Sequence, residues 1–154
     1  MKIKIDENEK IDEFHMRAWR AFINAHATII NQIEHELAKA KSLPLSSYDV
    51  LVALSETPDQ RLRMHELANR VVLSRSGLTR LVDRLEIEGL LTRDRCGTDR
   101  RGAYAVLTDK GREALQQAWP VYEKGIIQHF TSLLQDSEVS VISDALERVA
   151  STKE

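Results

Sequence analysis

Apolar residues recur along positions 11–41 at spacings of three and four: Ile11, Phe14, Ala18, Phe22, Ala25, Ile29, Ile33 and Leu37. That period predicts one amphipathic helix from residue 11 to about residue 41, with no internal Gly or Pro to interrupt it. Trp19, Ile23 and Ile30 widen the apolar stripe. At 1.5 Å per residue such a helix is roughly 45 Å long, more than a domain of this size needs to cover its own core. A helix that long and that apolar predicts packing against a second chain.

The pattern then shortens. Leu43-Pro44-Leu45-Ser46 breaks the first helix, and Ser46 is the expected cap of a second, residues 47–56, with Val50, Leu51 and Leu54 inward. Thr57-Pro58-Asp59 ends it, and Leu62-Arg63-Met64 reads as a small strand. A short helix from Met64 or His65 to Val71 buries Leu67, Ala68 and Val71. Val72-Leu73-Ser74 is a tight turn, with Ser74 placed to cap a helix over 75–88, and Gly89 is its left-handed stop. Residues 91–95 and 103–107 read as strands around the hairpin Cys96-Gly97-Thr98-Asp99-Arg100-Arg101-Gly102. Thr108 caps a helix over 109–134, kinked or restarted near Pro120. A last helix, capped by Asp136 or Ser137, aligns Val139, Ile142, Leu146 and Val149. The order predicts a mainly α chain with a minor β part: a winged helix-turn-helix at 45–108, framed by helical dimerisation segments at 1–42 and 109–154.

Composition sharpens this. The 154 residues are 42% hydrophobic, enough for a sizeable core. The longest apolar run, residues 50–54, is far short of the roughly 20 needed to cross a bilayer, so no membrane is expected. The amino end lacks the apolar stretch of a secretory signal, and one cysteine cannot close an internal disulfide. Both point to a cytoplasmic setting. The net charge of −2 is unevenly spread. Residues 61–101 carry ten arginines against six acids, 10 − 6 = +4, and the remainder is 12 − 18 = −6. A basic block inside an acidic frame points to a local anionic partner.

Within residues 75–88, Leu78, Leu81, Val82 and Leu85 form the inward face. Opposite lie Arg75, Ser76, Thr79 and Arg80, with Asp83 and Arg84 near the edge. A recognition helix enters the major groove of double-stranded DNA with its first residues against base edges, where small hydroxyls allow close approach and Arg pairs with guanine. Ser74 and the turn before it aim backbone N–H groups at phosphate. Arg93, Arg95, Arg100 and Arg101 lie on or beside the glycine-containing hairpin, a shape that reaches a narrow minor groove. Asp99 among these arginines is suited to pair with Arg101 and aim its guanidinium.

These residues carry a resemblance. Glu66-Leu67-Ala68, the run from Leu73 through Glu86, Gly89-Leu90, Asp99-Arg100-Arg101 and Val106-Leu107-Thr108-Asp109-Lys110-Gly111 resemble the MarR-type regulators of bacteria. The wing signature, Asp-x-Arg followed by a strand ending Leu-Thr-x-x-Gly, is specific after such a helix. The resemblance implies a homodimer whose first and last helices intertwine, with two winged lobes reading a pseudo-palindromic operator. It implies Asp99 and Arg101 as the wing pair, with Arg101 in the minor groove. It also implies a pocket for a small-molecule effector between frame and lobe. His15, Trp19, Arg20 and Tyr48 are the candidates there, a ring platform and a cation for an aromatic or phenolic acid. The expected function is a transcription regulator, a repressor released by such a ligand.

Other chemistry finds little footing. His65-Glu66-Leu67-Ala68-Asn69 begins like a zinc-protease helix but has Asn at the second ligand position. The five histidines form no pair at ligand spacing, so neither a metal nor a cofactor is expected, and no enzyme motif is present. Cys96 stands beside Arg95 at the hairpin, where guanidinium groups favour a thiolate, so redox sensing is an alternative regulatory mode. A winged-helix module that binds an acidic protein is the alternative from another class.

Overall fold

The computed structural model describes residues 10–71, 75–94 and 103–151. The elements are α1 (Glu13–Lys39), α2 (Leu45–Ser55), β1 (Arg61–Arg63), α3 (Met64–Arg70), α4 (Arg75–Ile87), β2 (Leu91–Asp94), β3 (Tyr104–Leu107), α5 (Asp109–His129), a single 3-10 turn (Thr131–Leu133) and α6 (Asp136–Ala150). The three strands form one antiparallel sheet in the order β1-β3-β2, with Arg61 opposite Val106 and Leu91 opposite Leu107. The mainly helical chain with a small sheet matches the predicted class, and β1 begins one residue earlier than expected.

The caps show what starts each helix. Asp12 accepts from the His15 N–H at 2.8 Å and opens α1. That backbone bond, and then the His15 ring, hold the Asp12 carboxyl below its ordinary value. Helix α2 starts two residues before the position expected from a Ser46 cap. Pro44, with φ −57° and ψ 147°, is the capping residue, its carbonyl accepting from Tyr48 at 3.0 Å. A cap position asks nothing of the N–H that proline lacks. The early start also turns Leu45 inward against Ile33 and Leu37. Likewise α6 is capped by Gln135 rather than Asp136 or Ser137, because Glu138 reaches back to accept the Gln135 N–H at 2.8 Å.

Helix α5 is continuous through Pro120, with no restart there, and ends at His129, short of residue 134. Its buried face, Leu115, Ala118 and Gly125, offsets the hydrogen bond that proline removes. The Thr108 hydroxyl caps its start, accepting from the Gly111 N–H at 3.0 Å and donating to the Gly89 carbonyl at 2.7 Å. That brings α5 down onto the end of α4. A Cβ at Gly111 would lie 2.0 Å from the Leu90 carbonyl oxygen and 2.8 Å from Leu107 Cδ1. The glycine of the Leu-Thr-x-x-Gly signature is thus required by backbone contact. At Gly89, φ is +76°, the left-handed stop expected after the preceding helix.

Packing divides the chain. One continuous core draws on every element from α2 to the first half of α5, with Leu51, Leu54, Leu67, Val82, Leu85 and Leu91 all fully buried. A second, smaller cluster of Ile33, Leu37 and Leu45 joins α1 to α2 and to Val121 and Ile126 of α5. Helix α6 has no buried residue. Between α1, α5 and α6 lies an apolar groove of about 550 Å³, floored by Phe22, Ile29, Ile30, Ile126 and Leu146.

Candidate nucleic-acid interface

Helix α4 has two faces. Leu78, Leu81, Val82 and Leu85 are buried in the main core. Thr79, Arg80, Asp83 and Arg84 are exposed on the other side. Arg75 and Ser76 stand in the first turn of the helix. Ser74, Arg95, Cys96, Asp99, Arg100 and Arg101 lie outside the described residues.

The structure separates the arginines of residues 61–101 by task. Arg61 lies over the Tyr104 ring at 4.3 Å and pairs with Asp94 at 3.8 Å. Arg63 stacks on the same ring at 5.2 Å and donates from Nε to the Tyr104 hydroxyl at 3.0 Å. Arg84 donates to the hydroxyl of Ser47, a buried polar residue, at 3.2 Å and lies 3.9 Å from Glu88. Arg93 is 18% exposed and pairs with both Asp83 and Glu86. Arg70, in the last turn of α3, and Arg80 are exposed, and neither pairs with any described residue. So part of the basic block holds the lobe together, while Arg70 and Arg80 are exposed cations that no described residue pairs. Sequence reading counted these side chains alike, because a charge sum carries no direction.

Comparison with known proteins decides what this arrangement belongs to. A model of the MarR family matches residues 41–102. The HTH-type transcriptional regulator MhqR of Bacillus subtilis is 32% identical over 133 residues, spanning 86% of this chain and 84% of that protein. The chain belongs to the MarR family. Two MarR-family regulators of Streptomyces coelicolor share its fold. Sco3205, solved in complex with DNA, is 32% identical with a TM-score of 0.85 and covers 95% of this chain and 91% of its own. AbsC is 30% identical with a TM-score of 0.83, covering 94% and 97%. This MarR protein is therefore a DNA-binding transcription regulator with a winged helix. Among the described residues no helix is long and apolar enough to cross a membrane.

The residues nominated for a MarR effector site are not brought together within one chain. His15 and Arg20 are exposed on the first half of α1, paired with Asp12 at 2.7 Å and Glu13 at 3.0 Å. Trp19 is exposed beside Phe22. Tyr48 is buried in the lobe core, its ring 4.8 Å from that of Tyr122. Trp19 precedes Ile33, where α1 meets α2, by fourteen residues, roughly 21 Å of helix. The aromatic group that does form joins Tyr48, Tyr122 and Trp119, the last 6.1 Å from Tyr122 and partly open to solvent. Burial raises both tyrosine hydroxyls above their ordinary value. Trp119 and Tyr122 were not among the residues that sequence spacing singled out, since their partner Tyr48 lies some seventy residues away. In the zinc-protease-like string, Glu66 accepts the Arg63 N–H at 2.9 Å, which gives it a capping task.

Proposed function

We propose that the chain acts in the cytoplasm as a homodimer that reads a pseudo-palindromic duplex. Each copy lays α4 into the major groove, with Thr79 and Arg80 on its outward face and Ser74, Arg75 and Ser76 as the further contacts. Its hairpin residues Arg95, Asp99, Arg100 and Arg101 reach the adjacent minor groove. Arg84 serves at the edge of this set, since its guanidinium is engaged by Ser47 and Glu88. Residues 45–108 form the reading lobe, and 1–42 with 109–154 form the dimer frame.

The observation that carries the dimer is the apolar face left open on the frame. Phe14 is 72% exposed and Val149 71%, with Trp19, Phe22, Ile23, Ile127 and Leu146 open as well. A contiguous face of that kind on α1, α5 and α6 marks an interface. A second copy of the same helices covers it by two-fold symmetry. Symmetry then sets two copies of α4 about one DNA turn apart, roughly 34–36 Å.

Selection from a random duplex pool, paired with light scattering of the protein, tests both parts. The expected result is a dimer that enriches inverted half-sites one turn apart. A monomer, or a pool with no inverted repeat, overturns the reading.

An effector response is the second part of this proposal. The Tyr48, Tyr122 and Trp119 rings stand where α2 meets α5, so a phenolic or aromatic acid stacked there touches lobe and frame at once. His15, Trp19 and Arg20 join such a site only from the second copy. Operator release on titration with simple phenolic acids supports it, and unchanged binding with all of them marks a constitutive repressor.

A further inference from the structure

Arg93 stands out among the basic residues because its charge is spent inside the lobe. Its guanidinium lies 2.5 Å from Asp83 Oδ1 and 3.0 Å from Glu86 Oε2. Its backbone N–H donates to Glu86 Oε1 at 3.1 Å. Two carboxylates one turn apart on α4 thus grip both the main chain and the side chain of one residue of β2. Strand β2 leads directly into residues 95–102. On its other edge the sheet is tied to β1, where Arg61 covers Tyr104 and pairs with Asp94.

The helix side of this clamp matters as much. On a helical wheel Asp83 falls within about 40° of Thr79, one turn away, on the outward face of α4. A bare carboxylate there faces the phosphates of any duplex that Thr79 and Arg80 approach. Held by Arg93, its charge is neutralised and its direction fixed. One planar guanidinium serves both carboxylates; a lysine ammonium is a single point charge without that fork.

We propose that Arg93 is a positioning residue for DNA reading. It fixes the base of the wing at one angle to the recognition helix and cancels the repulsion of Asp83 and Glu86, without itself meeting DNA. The proposal rests on the DNA-reading arrangement given above. It adds a residue whose loss alters how two parts of the reader are spaced.

The test compares wild type, Arg93→Gln, Arg93→Lys and the triple variant Arg93→Gln/Asp83→Asn/Glu86→Gln, each as the full chain. Selected sequences from a random duplex pool are read position by position, and each protein is also melted. Arg93→Gln is expected to lose about tenfold in affinity, because it leaves two partly exposed carboxylates unpaired beside the duplex. Base preference is expected to flatten at the outer positions under the wing and to persist at those under α4. Arg93→Lys keeps the charge and loses part of the spacing, so it falls between. The triple variant removes the repulsion, so it regains affinity while the outer preferences stay flat. A merely structural arginine lowers the melting temperature and the active fraction but leaves the preference pattern of the remaining folded protein unchanged. That outcome overturns the proposal, as does a Gln variant equal to wild type. A wild-type protein that binds no duplex overturns the underlying DNA reading instead.

Discussion

The winged lobe and the helical frame are built from the same kind of apolar stripe and end in opposite states. In the lobe, Leu78, Leu81, Val82 and Leu85 of α4 are covered by α2, the sheet and α5, and the core closes within one chain. In the frame, α1 repeats apolar residues at the same period, yet Phe14, Trp19, Phe22 and Ile23 stay open, and α6 has no fully buried residue. Periodicity reports that a helix has a face. What covers that face is a separate question, and here the chain supplies the cover for one region only. Helix α5 belongs to both: Leu115 and Ala118 enter the lobe core, and Val121 and Ile126 enter the frame cluster.

The largest expected effect breaks the closed region. Gly111→Ala drives a Cβ against the Leu90 carbonyl, a backbone group with no rotamer to yield. A loss of about 4 kcal/mol or more is expected, the range reserved for severe core disruption. Chemical denaturation followed by circular dichroism measures it, and a near-wild-type midpoint shows that the start of α5 yields at the Gly89-Leu90 turn. Phe22→Glu attacks the open region instead. The side chain is exposed in the single chain, so the lobe stays folded while a charge enters the proposed dimer face. Sedimentation is expected to show a monomer, with operator affinity down about 100-fold, or 2.7 kcal/mol. A dimer of undiminished affinity places the interface elsewhere. Arg80→Ala leaves both regions intact and removes an outward cation. It is expected to weaken specific binding by about 1–3 kcal/mol and to relax preference at one base position. Equal losses on specific and random duplex show a phosphate contact instead.

The asymmetry between the regions also explains what was legible beforehand. The existence of each helix, the Gly89 stop and the Thr108 cap are local events, set by residues within four places of one another, and these are readable in the string of letters. The Pro44 start of α2 is less local. It depends on Leu45 finding Leu37 and Ile33, eight and twelve residues back, which a search for hydroxyl caps passes over. The Arg93 clamp and the Tyr104 stack join residues that sequence spacing does not pair. A charge sum over residues 61–101 counts Arg93 and Arg80 as equals, though one is enclosed by two carboxylates and the other is open. Within one chain the nominated effector residues lie apart, for a related reason. An aromatic and a cation on a long helix read as a site only if the helix reaches the lobe at that height, and α1 meets α2 some four turns later.

The joint between the two regions offers the smallest effect and the finest test. Asp49, on α2, stands across from Glu34 on α1, and its carboxyl is pushed above its ordinary 3.8, first by burial and then by that like charge. The folded chain therefore holds this proton more tightly than the unfolded chain does. Below the ordinary value both states are protonated and Asp49 costs the fold nothing. As pH rises from there through the raised value, ionisation is penalised only in the folded state, so stability is lost across that window and stays lost at neutral pH. Asp49→Asn removes the penalty. It is expected to stabilise the protein by less than about 1 kcal/mol at neutral pH, because solvent screens a group at the edge of the joint. The advantage should vanish on acidification to about pH 3.5, the ordinary range for Asp. Parallel melting curves of the two proteins across that range measure the difference. An advantage that persists in acid traces to helix propensity in α2, and the like-charge contact between lobe and frame then carries no energetic weight.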